Sequence, residues 1–542
     1  MNLKRITALL CVSALAFAQE KLDLSVLHKI KDEAFQRSQV METMFQLTDV
    51  HGPRLTNSPN YFRAADWVVK QMTDWGMKAH TEKWPFGRGW EFTKFSAHMI
   101  EPQYAPLIGF PQAWTAGTNG VVSGEPMMID QLNNQADLDK YKGKLKGKIV
   151  MVGAPHELVM STKALGTRYT EQELADLSIA PDPSVGGRGF FTPPQNGRGG
   201  RGGQNTQPPQ GGPGGRGFQT ALQKFYAEEQ PALILRSGTA QADGGTVAGA
   251  SSAGSRELKD PVVPATVMLA PEHYNRIARL LDHKVPVKLE FEIQAKFQDE
   301  RTDSVDVIAD LEGSGRHKDE IVMLGAHLDS WHAGTGATDN AAGSAVMMEA
   351  IRILKALDLK MDRSVRMGLW GGEEEGLLGS RAYVKEHFAD PETMKVTAEH
   401  AKLSGYFNVD NGTGKIRGVY LQGNDMMRPV FEEWFAPLKD LTNGAITIRN
   451  TGGTDHLSYD AVGLPGFQFV QDPMDYNTRT HHTNMDTYDR IQRGDMMQMS
   501  AIVAWCVYNT ATREEMLPRK PLPKPQPRQN GGRGGAPTQQ PN

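Results

Sequence analysis

Between residues 303 and 388 the hydrophobic pattern changes period several times, which restricts the chain to folds that layer helices against a sheet. VDVIADL and EIVMLGAHLD are strand-like apolar runs, AAGSAVMMEAIRILKAL returns its apolar residues at helical spacing, SVRMGLW is again strand-like, and RAYVKEHF is helical. This alternation predicts an α/β fold with a mixed, largely parallel sheet flanked by helices. Further strands are expected at LSGYFNVD and GLPGFQFV.

The chain before this segment divides in two. SVLHKIKDEAFQRSQVMETMFQLTDV reads as helical, HGPRLTNSPN interrupts it with Gly52 and Pro53, YFRAADWVVKQMTDWGM resumes helical spacing, and WEFTKFSAHMI alternates as a strand does. From about residue 120 to 297 the character shifts to short strand-like runs, GKIVMVG, PALILR and VPVKLEFEIQAKF, with few long helices between them, which predicts a separate β-rich module. Inside it, residues 186–218 are dominated by Gly, Arg, Pro and Gln and cannot bury enough apolar surface to offset their ordering entropy, so a mobile insertion is expected there. The Pro- and Gly-rich residues 517–542 are expected to form a tail without a core.

Residues 1–18 carry Lys4 and Arg5, an apolar stretch of secretory length and the small-residue pattern Ala16-Phe17-Ala18, so they read as a signal peptide and the mature protein as exported, periplasmic or secreted. A lipoprotein variant at Cys11 fits less well, because bulky Leu10 precedes it. Cleavage leaves Cys506 alone, and no internal disulfide can form. No later apolar stretch reaches transmembrane length. The 59 Lys and Arg against 63 Asp and Glu give a net charge of -4, which offers no general attraction for nucleic acid or membranes. The Arg-Gly-Gly repeats beside Phe190, Phe191 and Phe218 resemble RNA-binding segments in composition, but an exported, net negative chain is a poor match for that role.

The chemistry-bearing residues collect where strands are expected to end. GAHLDSWHAGTGATDN contributes His327, Asp329, His332 and Asp339; WGGEEEGLLGS contributes Glu373 and Glu374, with Glu375 beside them; YFNVD contributes Asp410; HHTNMDTYD contributes His481, His482 and Asp486. Each alone is most simply a loop cap or hydrogen-bonding residue. Together, at successive strand ends of an α/β sheet, they make an imidazole and carboxylate set without thiolates, suited to Zn²⁺ or a related divalent ion. Asp339 precedes a strong helical segment, so it is either an N-cap or a carboxylate able to bridge two ions. A dinucleotide-binding reading of GTGATDNAAG fails on spacing, because Asp339 stands where a glycine is required.

These ordered motifs, GAHLDSWHAGTGATDNAAG, WGGEEEGLLGS, NVD and HHTNMDTYD, resemble those of the M28 family of co-catalytic zinc exopeptidases, whose members include bacterial aminopeptidases and carboxypeptidase Q. The resemblance implies a zinc-exopeptidase catalytic domain formed by residues 19–119 and 298–516, with a protease-associated (PA) domain inserted at 120–297. It implies two zinc ions per chain, cobalt or manganese being alternatives, with His327 and Asp410 holding one ion, Glu374 and His482 the other, and Asp339 bridging both. Glu373 would be the general base, and Asp329 would orient His327. Glu375 is expected to face solvent or a cationic partner, and Asp455 and His456 in GGTDHLSYD are candidates for substrate contacts, a turn or loop-surface role being the equal alternative. The implied activity is metal-dependent exopeptidase action on peptides or dipeptides by a monomer or homodimer, as an aminopeptidase or dipeptidase, with a carboxypeptidase or an inactive PA-domain scaffold as alternatives.

Overall fold

The computed structural model describes residues 20–158, 160–180, 216–238 and 245–525. The expected signal peptide and residues 186–215 of the Gly-rich segment lie outside the described residues.

The central feature is an eight-stranded sheet with strands in the order 78–85, 303–311, 364–370, 321–327, 403–408, 466–471, 416–420 and 445–447. Its middle four strands, Ser364–Trp370, Ile321–His327, Leu403–Asn408 and Gly466–Gln471, are parallel neighbours, while antiparallel strands flank them. These parallel strands are apolar on both faces because both are covered. On one side Val322, Leu324, Met367 and Phe407 pack with residues of the helices Ala342–Ala356 and Arg493–Thr512. On the other, Trp370, Tyr383, Tyr406 and Tyr459 form a separate aromatic cluster. Chain connectivity sends the carboxyl ends of the four parallel strands to one edge of the sheet, where the candidate ligands lie.

Two helices differ from expectation for identifiable reasons. The predicted run over 25–50 is divided into Leu24–Gln36 and Val40–Phe45, with Arg37 taking a non-helical conformation between them. The helix Arg493–Thr512 has no apolar stripe to reveal it, because it is buried around nearly its whole circumference by the sheet and by the helices Leu24–Gln36 and Ala342–Ala356.

A second region packs two sheets against each other. Four parallel strands, Pro126–Ile129, Ile149–Val152, Leu233–Ser237 and Thr266–Leu269, form a five-stranded sheet with Gly109–Pro111; the helices Gln135–Tyr141 and Arg216–Glu229 lie in their connections, and Pro271–Asp282 leads from the last of them to the opposing sheet. The opposing four-stranded sheet is built on the long antiparallel pair Gly89–Glu101 and Lys288–Gln298. Ile149, Met151, Leu233 and Leu235 meet Ala97, Met99, Phe291 and Ile293 between them. Its strands begin at Gly89, well before the expected boundary at residue 120, because the long pairing with Lys288–Gln298 needs that earlier partner.

Two expectations of disorder are corrected. Residues 216–218, at the end of the Gly-rich segment, open the helix Arg216–Glu229. The start of the tail is docked: Leu517 is buried, its N–H donates to Ser404 Oγ at 3.2 Å, Arg519 donates to the His400 carbonyl at 3.0 Å, and Lys520 pairs with Asp460. Apolar and cationic residues ahead of the Pro-rich stretch supply the contacts that its composition lacks.

Candidate metal centre

The His327 strand, the Trp370 strand and the Asn408 strand run parallel in adjacent positions, so the residues just beyond their carboxyl ends meet in space. His327 is the last residue of its strand and has no exposed surface. Its Nε2 lies 3.3 Å from Asp339 Oδ1 and 3.5 Å from Asp410 Oδ1. Across Asp339, His482 Nε2 stands 3.3 Å from Asp339 Oδ2 and 2.9 Å from Glu374 Oε2, and His481 Nε2 is 3.8 Å from Asp339 Oδ2. Asp339 therefore faces two groups of possible ligands, one with each carboxylate oxygen.

The contacting atoms have the character of metal ligands. His327 Nε2, Asp339 Oδ2, Glu374 Oε2 and Asp410 Oδ1 are all buried and make no hydrogen bond. Buried polar atoms are rarely left so, and four converging on one space, all imidazole nitrogen or carboxylate oxygen, fit divalent metal ions. Two clusters of His and Asp able to coordinate metal are present, His327–Asp339–Asp410 and Asp339–His481–His482. Glu374 approaches the second through His482, so His481 and Glu374 both flank it.

The electrostatics show the same excess of negative charge. Burial pushes the Glu373 carboxyl well above its ordinary range; His327 opposes the rise, while Asp410, Asp455 and Glu374 add to it. Glu374 is pushed up to about 7, chiefly by burial, with His482 opposing and Asp339 reinforcing the shift. Burial alone would lower the His327 pKa, but Asp410 and Glu373 outweigh it and hold the imidazole well above its usual value.

Backbone and side-chain contacts fix this arrangement. His327 Nδ1 is 3.0 Å from the Asp329 backbone carbonyl and 3.5 Å from the Asp329 carboxylate, so the backbone oxygen makes the closer contact. The Asp329 carboxylate accepts hydrogen bonds from Thr56 Oγ1 at 2.8 Å and from the Glu373 and Glu374 N–H groups at 3.3 Å each, tying the His327 loop to the acidic turn. Asp486 accepts from the Thr338 N–H at 2.6 Å and the Asp339 N–H at 3.2 Å, which anchors the backbone of Asp339. Gly336 is required where it stands: its φ is 67° and an added Cβ would fall 2.3 Å from Ser330 Cβ.

Several candidate residues have other surroundings than expected. His332 is buried, its Nε2 2.6 Å from the Pro111 carbonyl and its ring edge-on to Trp90, and burial lowers its pKa to about 4. His456 has no exposed surface and its Nε2 lies 2.9 Å from Gln422 Nε2 and 3.2 Å from the Thr451 carbonyl, so it braces the interior. Asp455 is also fully buried, and burial is the chief cause that lifts its pKa to about 7. Glu375 does not turn its carboxylate to solvent: both oxygens are buried, and burial followed by the charge on Asp329 pushes its pKa well up against the opposing influence of Thr56 and the cationic Arg256.

Arg54 was not legible as part of the site. It is fully buried and donates from Nε to the Leu328 carbonyl at 2.7 Å, from Nη1 to those of Leu47 at 2.6 Å and Thr335 at 2.9 Å, and from Nη2 to that of Gly336 at 2.9 Å. The interruption HGPRLT holds the residue, yet only the tertiary structure reveals that its fork closes on the loops around Asp329 and Asp339.

A parallel-centred α/β sheet whose strand ends converge on these unpartnered imidazole and carboxylate atoms defines a metal-dependent hydrolase. Residues 306–507 match the profile of Peptidase family M28. Carboxypeptidase Q from Mus musculus is 24% identical over 507 residues, 93% of this chain and 90% of that protein. Among solved structures, a peptidase M28 precursor from Shewanella amazonensis aligns with a TM-score of 0.62 at 23% identity over 92% of this chain and 98% of its own. BSAP, a zinc aminopeptidase from Bacillus subtilis, aligns with a TM-score of 0.54 at 17% identity over 88% of this chain and 96% of its own. The chain shares its α/β fold with these M28 peptidases, is similar to carboxypeptidase Q over most of its length, and carries two clusters able to hold metal ions, as a metal-dependent hydrolase does. Among the described residues, no helix is long and apolar enough to cross a membrane.

Proposed function

We propose that the protein is an exported exopeptidase that uses two zinc ions to release terminal residues from short peptides, acting as an aminopeptidase or dipeptidase. The observation that carries this reading is the convergence of the unpartnered atoms of His327, Asp339, Glu374 and Asp410 next to Glu373. His327 and Asp410 would hold one ion, Glu374 and His482 the other, and Asp339 would contribute an oxygen to each. Bound there, zinc, or cobalt or manganese in its place, supplies Lewis-acid chemistry that polarises a carbonyl and acidifies water.

The chain's own groups perform the remaining work. Glu373 accepts the proton of the attacking water and returns one to the leaving amine, which requires a carboxyl able to change state near neutral pH. A His327 Nδ1–H donated to the Asp329 carbonyl keeps the Nε2 lone pair directed at Asp339 and Asp410. Beyond Glu374 a cavity of about 620 Å³ extends along Glu375, Trp331 and the 252–256 loop to the helix Arg216–Glu229, with Arg236 and Arg256 in its wall. Cationic side chains on that side suit the free carboxylate of a dipeptide. The near full-length similarity to carboxypeptidase Q favours, as a second reading, carboxypeptidase action at the same centre.

The test is digestion of a free dipeptide, an amino-blocked peptide and a carboxyl-blocked peptide by the zinc-loaded protein. Cleavage of the free dipeptide with loss of activity on amino blocking supports the first reading. Cleavage of the amino-blocked peptide from its carboxyl end supports the second, and cleavage of none of the three overturns both.

A further inference from the structure

The stretch from Asp472 to Asp486, which carries His481 and His482, is gripped near both ends by the second region. At one end Ala250 N–H donates to the His482 carbonyl at 2.8 Å, Asn484 N–H donates to the Ala248 carbonyl at 3.0 Å, and Ala248 N–H donates to Asn484 Oδ1 at 2.8 Å, forming a short antiparallel clasp centred on Gly249 and Thr483. At the other end Thr167 and Met474 exchange backbone hydrogen bonds at 3.0 and 2.8 Å, Thr478 Oγ1 donates to the Leu165 carbonyl at 2.8 Å, and Tyr169 N–H donates to Asp472 Oδ1 at 3.0 Å. Arg168 adds ion pairs to Asp472 at 2.9 Å and Asp495 at 2.7 Å.

Such a grip has a specific task at His482. Its φ is 56°, in the left-handed region that side chains other than glycine rarely adopt, and such a conformation persists only where the surroundings over-determine it. The imidazole is 40% exposed, so packing alone does not hold it. The hydrogen bond from Ala250 to its carbonyl and the clasp at Asn484 fix the backbone on which it stands.

We propose that the second region positions the His482 ligand: the segments Leu165–Tyr169 and Ala248–Ala250 clamp the metal-binding stretch, so that one ion of the pair is retained only while the two regions are docked. This rests on the proposed assignment of His482 as a zinc ligand. Ala248, Ala250, Thr478 and Asn484 are positioning residues, with no contact to the ions or substrate required of them.

The test measures zinc binding by chelator competition in the full chain carrying Asn484→Ala, Thr478→Val or Ala250→Pro, with circular dichroism as the check on folding. Each substitution removes a donor or acceptor of one clasp, and each is expected to weaken one zinc site about tenfold, the lower end of the effect of removing groups that orient a ligand, while leaving the other site unchanged. Hydrogen exchange across residues 472–486 is expected to quicken in all three. Asn484→Ala keeps the test open if Ala250→Pro fails to fold. Folded variants that bind both ions as the unaltered protein does overturn the clamp, whereas failure of the unaltered protein to bind zinc overturns the functional reading on which it rests.

Discussion

Replacing Arg54 tests whether the metal loops owe their shape to a buried cation that touches no carboxylate. Its guanidinium satisfies carbonyls of Leu47, Leu328, Thr335 and Gly336, which belong to three separate turns of backbone. Burial lowers its pKa to about 10, with Asp486, Asp329, Asp339 and Glu374 opposing the shift, so it remains charged at neutral pH. Hydrogen bonds from a charged donor contribute about 1.5–3 kcal/mol each, so four amount to roughly 6–12 kcal/mol before the cost of burying the ion. That burial costs several kcal/mol, which leaves a net loss of about 3–5 kcal/mol for Arg54→Met, whose side chain fills the space and donates nothing. At about 2–4 °C per kcal/mol in a domain of this size, the melting temperature should fall by roughly 10 °C.

Arg54→Lys separates the fork from the charge. The ammonium keeps the positive charge but cannot span four carbonyls from one nitrogen, so the electrostatic influence of this residue on a bound zinc ion is nearly constant while the loop carrying Asp339 loosens. Thermal unfolding and zinc titration of both variants are the assays: Arg54→Met should unfold early, and Arg54→Lys should bind zinc more weakly than the unaltered protein. Melting of Arg54→Met within about 2 °C of the unaltered protein would show that water satisfies the carbonyls as well as the guanidinium does, and would refute the reasoning.

Glu373→Gln should retain both ions and lose about a hundredfold or more in turnover, whereas Glu374→Gln should lose affinity for one ion and recover partly with added zinc; metal analysis beside turnover decides, and the reverse pattern would exchange their roles. Burial raises the Glu33 carboxyl, but Arg37 and Arg352 outweigh it and lower its pKa below 4.5, so its contribution is complete above that value and is lost as pH falls through the lowered one. Glu33→Gln should therefore cost about 2 kcal/mol at pH 7, and melting curves should converge with those of the unaltered protein in acid. Glu375 has a raised pKa, so ionising it costs stability as pH climbs past the ordinary carboxylate range; Glu375→Gln should raise the melting temperature at neutral pH, and a lowered one would reveal a partner for the carboxylate. Ending the chain at Met516 removes the buried Leu517 and the Arg519 and Lys520 contacts, a loss of at least about 2 kcal/mol, measurable as a drop of roughly 5 °C in melting temperature.

The catalytic sheet was legible because its central strands and the helix Ala342–Ala356 obey simple periods, and SVRMGLW forms a strand with the bounds its pattern indicates, Ser364–Trp370. The helix Arg493–Thr512 was not, since total burial erases the stripe from which helical period is read. The second region read as mainly strand although its helix Pro271–Asp282, of 12 residues, is longer than the 4-residue strand Thr266–Leu269 before it, and sequence period does not distinguish parallel from antiparallel pairing. At the site, ligand-type residues announced themselves at strand ends, where His327 and Asp410 now face each other. Arg54, Thr56 and the backbone clasp at Ala248–Ala250 gave no such signal, because their contributions are hydrogen bonds between segments far apart in the chain.

The acidic turn at Glu373–Glu375 acquires its physical explanation from this separation of tasks. Three adjacent carboxylates in a buried site repel one another, and Arg54, a fully buried cation within electrostatic reach of Glu374, is engaged with carbonyl oxygens. His327 and His482 offset part of the charge only while protonated, a state in which neither can lend a nitrogen lone pair to an ion. Divalent ions held there would resolve both conflicts at once, neutralising the carboxylates and displacing the imidazole protons. Because an unfolded chain offers no such arrangement, ion binding adds directly to the stability of the fold, and the loops at Asp339 and His482 should be the segments whose order depends most on it.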